Sequence, residues 1–110
     1  MNQATSMNGD EKYAQLVTQY VSSLPEKLAS LERALSAGRA GDASGLAEAR
    51  EIAHRIRGTG GCYGLRELSE AAAVLDDVLT LMKRGNGGSW PQADEAATLV
   101  RAVIESATKK

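Results

Sequence analysis

The 110-residue sequence has no phenylalanine, one cysteine, two prolines and a single histidine. One cysteine cannot form an internal disulfide, and it leaves no CxxC pair for zinc. The net charge is −1 and charges of both signs are interspersed along the chain, which argues against a nucleic-acid footprint or a polybasic membrane patch. No apolar run approaches the ~18 residues of a membrane span, and no secretory signal pattern opens the chain. We expect one cytoplasmic, monomeric domain that buries about two-thirds of its unfolded surface.

Apolar residues recur at helical spacing through most of the chain, and no segment alternates as a strand would. Residues 1–9 lack this pattern and predict a loose tail before a domain over residues 10–110. A first helix is predicted over Asp10–Ser22. The sequence SLPE at Ser23–Glu26 is typical of a capping box with proline just inside the start of a second helix.

Three further helices are predicted after the loop-like sequence GRAGDASG. The first begins near Gly45, with Asp42 or Ser44 available as its N-cap. The second covers Leu65–Arg84, and the third begins near Trp90. The predicted fold class is all-α. We expect an antiparallel up-down four-helix bundle with an additional N-terminal helix packed across one end.

The only histidine, His54, lies in the sequence AHRIRGTGGCYGL, directly before four glycines in seven residues. With Ile56 at the centre of the buried stripe, His54 lies roughly 160° away and faces solvent. Tyr63 returns to that stripe, so the helix is predicted to continue through the glycines and to end near Gly64 as its C′ residue. The residues that share the His54 face are Arg50, Glu51, Arg57, Gly58 and, one turn further, Gly61.

The segment AHRIRGTGGCYGLRELSEAAAVLDD resembles the signature of the histidine-containing phosphotransfer (HPt) domains of multistep two-component phosphorelays. In that family an apolar residue follows the histidine by two positions, Lys or Arg by three and Gly by four. Arg57 stands where Lys is commoner, and the pair Gly60–Gly61 is smaller than the usual Ser or Ala. The resemblance covers about residues 15–108, and the matching positions are His54, Ile56, Arg57, Gly58, Thr59, Gly60, Gly64 and Leu68.

The resemblance implies that His54 accepts a phosphoryl group from the aspartyl phosphate of a receiver domain and passes it to another receiver. Arg57 would then contact the phosphoryl oxygens, and Gly58 would leave room for the receiver beside the imidazole. Arg50, Glu51 and Gly61 would border the same contact surface. Mg²⁺ would come with the receiver, because this chain has no carboxylate cluster suited to holding it, and we expect no cofactor bound by the chain itself.

Two other interpretations stay open at this stage. The chain could be a non-catalytic helical docking module with a vestigial histidine, or a domain of a larger hybrid sensor histidine kinase. It has no ATP-binding region, so we expect no autonomous kinase activity in either case. The sequence GTGGCYG lacks the GK[ST] ending of a phosphate-binding loop, and Cys62 has no base partner for nucleophilic catalysis.

Overall fold

The computed structural model describes residues 9–109 and forms four α-helices, with no strand in that range. They are α1 (Gly9–Arg39), α2 (Ala43–Cys62), α3 (Arg66–Arg84) and α4 (Trp90–Thr108). The predicted tail over residues 1–9 lies outside the described residues except for Gly9, the first residue of α1. Within residues 9–109 no helix combines the length and apolar character needed to cross a membrane.

The predicted break at Ser23–Glu26 is wrong, because α1 runs without interruption from Gly9 to Arg39 and contains Pro25. The additional N-terminal helix is therefore the first half of α1 and is not packed across an end of the bundle. The Ser23 hydroxyl does not cap a new helix but donates to the Tyr20 carbonyl oxygen at 2.6 Å. A proline inside a helix costs about 3 kcal/mol, and here one continuous buried stripe offsets it: Tyr20, Leu24, Leu31, Ala34, Leu35 and Gly38.

The other three helices begin and end close to the predicted positions. Asp42 is the N-cap of α2, and its carboxylate accepts from the Ser44 backbone N–H at 2.9 Å. Ser89 caps α4, with Pro91 in the first turn where its missing N–H has no helical partner to lose. Gly85 ends α3 in the left-handed conformation at φ +73°. These caps satisfy backbone groups that a helix terminus otherwise leaves without partners.

Each helix packs against the next in the chain, and α4 packs back against α1. The close contacts between α1 and α2 run in opposite chain directions. Tyr20 near the start of α1 bonds Thr59 near the end of α2, whereas Gly38 at the end of α1 approaches Leu46 at the start of α2. The largest fully buried side chains come from all four helices: Leu24, Leu31, Ile56, Leu75, Leu79, Val100 and Ile104.

Candidate functional site

Helix α2 continues through the glycines that follow His54, as predicted. It ends at Cys62, Tyr63 is the C-cap, and Gly64 adopts φ +73° as the C′ residue. The Leu65 N–H donates to the Gly60 carbonyl at 2.8 Å and the Gly64 N–H donates to the Gly61 carbonyl at 3.2 Å. This is a Schellman motif, which turns the chain sharply into α3.

The glycines after His54 occupy different environments. A Cβ at Gly58 would meet no atom within 4 Å, so this position is open to solvent. Gly60 is buried, and a Cβ there would contact the Ser69 backbone nitrogen of α3 at 3.4 Å. Gly64 supplies the left-handed turn. Gly58 is therefore the open position beside the histidine, whereas Gly60 and Gly64 lie at the α2–α3 junction.

His54 faces solvent, as predicted, with 59% of its side chain exposed. Its ring is nevertheless held at one edge: Nδ1 lies 2.9 Å from the Oδ2 atom of Asp76 on α3. The other ring nitrogen, Nε2, has no hydrogen-bond partner among residues 9–109. The imidazole thus presents one engaged edge to the bundle and one free edge to solvent.

Asp76 joins four side chains in one network. Its Oδ2 atom accepts from both His54 Nδ1 and Arg57 Nη1, the latter at 3.2 Å. Its Oδ1 atom accepts from the Thr80 hydroxyl at 3.3 Å and lies 3.7 Å from Arg50 Nε. Asp76 is only 4% exposed and, within residues 9–109, is the one charged residue in the core. A buried charge is stable only when it is paired or hydrogen-bonded, and both oxygens of the Asp76 carboxylate have such partners.

The network sets the charge of Asp76. Burial raises the pKa of the Asp76 carboxyl. Hydrogen bonds from His54 and Arg57, together with the charges of Arg50 and of His54 when it is protonated, lower this pKa by more, so it lies below its ordinary value. Asp76 is consequently ionised at neutral pH and can only accept hydrogen bonds. His54 Nδ1 is therefore the donor in the contact between them.

Similarity to a known protein family identifies the class of protein that carries this site. The sequence profile of the Hpt domain family matches residues 15–108, nearly the whole chain. The chain belongs to the Hpt domain family. No curated protein and no solved structure matches it. Membership of this family implies histidine phosphotransfer in phosphorelays, and Hpt domains interact with the receiver domains of response regulators.

In this Hpt domain, Arg57 is bound to carboxylates of α3. Nη1 contacts Asp76 and also donates to Asp77 Oδ1 at 3.3 Å. The Arg57 side chain is 44% exposed, and its remaining nitrogens have no partner among the described residues. A contact between Arg57 and a phosphoryl group stays a prediction, to which the structure adds a second role as a partner of Asp76.

The other predicted site residues differ in how far they are exposed. Glu51 and Gly61 are exposed, and Gly61 lies beside Ser69, whose hydroxyl donates to the Arg57 carbonyl at 2.8 Å. Arg50 shares the His54 side of α2, but its Nε atom is buried without a hydrogen-bond partner in the described part of the chain. Arg50 thus faces Asp76 more than it faces solvent. Across residues 9–109, no group of three or more His, Cys, Asp and Glu side chains is arranged to hold a metal ion.

Sequence reasoning missed Asp76, although a signal for it exists. The turn between α2 and α3 is short, so the two helices form a hairpin in which residues equally distant from the turn face each other. Residues 54 and 76 are each 11 positions from residue 65, at that turn. An acidic residue at the edge of the apolar stripe of α3, opposite the histidine, could have been selected on this ground.

Proposed function

We propose that this Hpt domain is a phosphorelay intermediate. His54 accepts a phosphoryl group from a receiver-domain aspartyl phosphate and passes it to the aspartate of another receiver. The observation that carries the proposal is the free Nε2 edge of an exposed imidazole whose opposite edge is hydrogen-bonded to the bundle. A fixed, neutral imidazole is a competent nucleophile near physiological pH.

The surroundings of His54 suit phosphoryl transfer, which depends mainly on positioning and on stabilising negative charge. Gly58 lies one turn from His54 and leaves the surface open, so the acidic pocket of a receiver can approach the ring. The exposed part of the Arg57 guanidinium is close enough in sequence and space to serve the phosphoryl oxygens. Mg²⁺ is supplied by the receiver in this proposal, and the chain acts as a phosphocarrier without kinase activity of its own.

We also propose that the four helices form an antiparallel up-down bundle; the contacts of α1 with α2 and of α2 with α3 run in opposite chain directions, and the connections are short. A rigid bundle suits a carrier, since the histidine then keeps one position for both donor and acceptor receivers. We further propose that the protein is a cytoplasmic monomer, with a receiver of a hybrid sensor kinase as one candidate partner.

The test is His54→Gln. Glutamine removes the ring but keeps an amide N–H that can donate to the buried Asp76 carboxylate, so we expect the free energy of unfolding to fall by no more than about 1–2 kcal/mol and the chain to remain helical. Incubation with a panel of phosphorylated receivers should place acid-labile, base-stable label on the wild-type chain and none on the variant. Glu48→Gln, an exposed change on the same helix, is the matched control and should be labelled normally.

Two outcomes contradict the proposal. Label that persists on the His54→Gln chain would assign the acceptor to another residue. A wild-type chain that binds receivers but takes up no label would instead support the docking module.

A further inference from the structure

The arginines beside His54 differ in whether a carboxylate of the chain already balances their charge. Arg57 Nη1 lies 3.2 Å from Asp76 Oδ2 and 3.3 Å from Asp77 Oδ1. Arg50 Nε lies 3.7 Å from the Oδ1 atom of Asp76. On the α3 side of His54, two positive charges are therefore balanced by two negative ones.

Arg55, the residue after His54, lies on the opposite side of the histidine. At about 100° per residue, Arg55 is about 100° around α2 from His54 in one direction, and Arg57 is about 60° in the other. The Arg55 side chain lines a groove of about 600 Å³ between α1 and α2. It is exposed, and its guanidinium forms no ion pair or hydrogen bond with any residue in the described range 9–109. Its charge is therefore available to a partner.

This charge lies next to the open surface beside His54. Gly58 follows Arg55 by three residues, so the two share one face of α2, and a Cβ at Gly58 would meet no atom within 4 Å. Glu51 precedes Arg55 by four residues, a spacing at which opposite charges often pair on a helix. Both residues lie in the described part of the chain, yet no ion pair joins them. Glu51 is also about one turn farther from Gly58 than Arg55 is.

We propose that Arg55 is a docking residue that binds an acidic side chain of the receiver on the α1 side of His54. This inference rests on the proposed function, in which the acidic pocket of a receiver approaches the imidazole. Carboxylates surround the phosphorylated aspartate of that pocket, because they hold Mg²⁺, and they complement the unbalanced charge of Arg55. A charge at the rim of an interface acts mainly on the rate of association and on its salt dependence.

The experiment measures the association of the full chain with an unphosphorylated receiver, chosen from the panel as the one that the wild type binds most tightly. Rates are compared at about 0.05 M and about 0.5 M salt, since salt screens exposed charges. At low salt we expect Arg55→Gln to slow association about threefold or more, and Arg55→Lys, which keeps the charge, to stay within about twofold of the wild type. At high salt the difference between Arg55→Gln and the wild type should shrink.

Arg84→Gln is the matched control, because it removes the same charge from an exposed arginine in the last turn of α3. Residue 84 lies eight positions beyond Asp76, or about 12 Å along the helix. Its association rate at low salt should stay within about 1.5-fold of the wild type. Glu51→Gln tests the opposite sign: it removes a negative charge from the same side of His54 and should speed association.

Equal association rates for Arg55→Gln and the wild type at low salt would overturn the inference. Equal slowing in Arg55→Gln and Arg84→Gln would overturn it too, since net charge alone would then explain the effect.

Labelling of His54 separates this result from the proposed function. If the receiver binds but no label reaches the chain, the phosphorelay proposal fails, while the association rates still decide the role of Arg55. If His54 is labelled and Arg55→Gln associates like the wild type, only the docking role fails.

Discussion

At the scale of single residues, one nitrogen of Arg57 donates hydrogen bonds to the carboxylates of two neighbouring aspartates. Its Nη1 atom donates to Asp76 at 3.2 Å and to Asp77 at 3.3 Å. The Asp76 oxygen that Nη1 contacts is the same Oδ2 atom that lies beside His54 Nδ1, on the opposite edge of the ring from Nε2. A contact with a phosphoryl group on Nε2 therefore requires one of the unengaged Arg57 nitrogens, or release of the guanidinium from Asp77.

Arg57→Ala should slow phosphoryl transfer to His54 about tenfold, because it removes a charge-assisted contact whose loss costs about 1.4 kcal/mol in the transition state. The helical content should not change. Asp77→Asn is the informative companion: it releases the guanidinium from one carboxylate, and transfer should be at least as fast as in the wild type. Single-turnover rates for the three proteins decide the matter, and equal rates for Arg57→Ala and wild type would leave Arg57 only its contacts with α3.

His54 and Asp76 differ in how far the sequence reveals them. The orientation of His54 follows from the helical period of its own segment, measured from Ile56, and the structure confirms it. The importance of Asp76 depends on the pairing of two helices, which no periodicity within α3 contains. A carboxylate beside an apolar stripe usually lies at the surface. Asp76 is buried in the core because three basic side chains, those of Arg50, His54 and Arg57, lie beside its carboxylate.

At the scale of helices, local signals predicted α2, α3 and α4 because each has a side-chain cap, a glycine stop or both. They failed in α1, where SLPE combines the features of a helix start with a proline. The helix continues because Tyr20 and Leu24, on one side of Pro25, share a buried face with Leu31 on the other. Packing of the whole face against α2 and α4 outweighs a local preference for a break.

Two glycines of α2 give opposite predictions for the same substitution. Gly58→Ala should raise the free energy of unfolding by up to about 1 kcal/mol, because the position is helical and the new methyl group meets nothing. Gly45→Ala should lower it by about 1–3 kcal/mol, because its Cβ would lie 2.6 Å from the Gly38 backbone nitrogen of α1. Urea denaturation of both variants and the wild type measures the two effects.

A larger side chain at Gly58 separates stability from access. Gly58→Leu should remain as stable as the wild type, since the position is open, while receiver binding and transfer fall steeply because the side chain stands one turn from His54. A loss of stability in Gly58→Ala would contradict the role assigned to this glycine. So would unchanged transfer in Gly58→Leu.

At the scale of the whole molecule, helix lengths are unequal. At 1.5 Å per residue, the 31 residues of α1 span about 46 Å, whereas the 19 or 20 residues of the other helices span about 30 Å. The first turns of α1 therefore extend along the α2–α3 turn, where the Tyr63 ring lies 6.2 Å from Tyr13 and 5.2 Å from Tyr20. Among the apolar residues in the first half of α1, Tyr20 is buried by this packing, whereas Tyr13 and Leu16 remain exposed.

Two carboxylates in different parts of the bundle make its stability depend on pH in the same direction. The Asp42 pKa is lowered by hydrogen bonds from the Ser44 side chain and backbone at the start of α2. The Asp76 pKa is lowered, despite burial, by its bonds to His54 and Arg57 and by the charges of His54 and Arg50. In both cases the folded state favours the ionised form. Each contribution is present above the ordinary carboxyl pKa of about 4 and is lost as the pH falls through the lower pKa of the folded state.

The free energy of unfolding should accordingly fall as the pH is lowered below about 5, and Asp76→Asn should flatten part of that fall. At pH 5 the variant should be less stable than the wild type by about 1–2 kcal/mol, because asparagine keeps the shape but not the charge facing Arg50 and Arg57. The difference should shrink as the pH falls through the lowered pKa of Asp76 in the folded state, because the wild-type carboxylate is then itself protonated. Urea titrations at a series of pH values test this, with Glu48→Gln as an exposed control that leaves the wild-type curve unchanged. A constant difference at every pH would mean that Asp76 stabilises the bundle through shape alone, with no contribution from its ionised carboxylate.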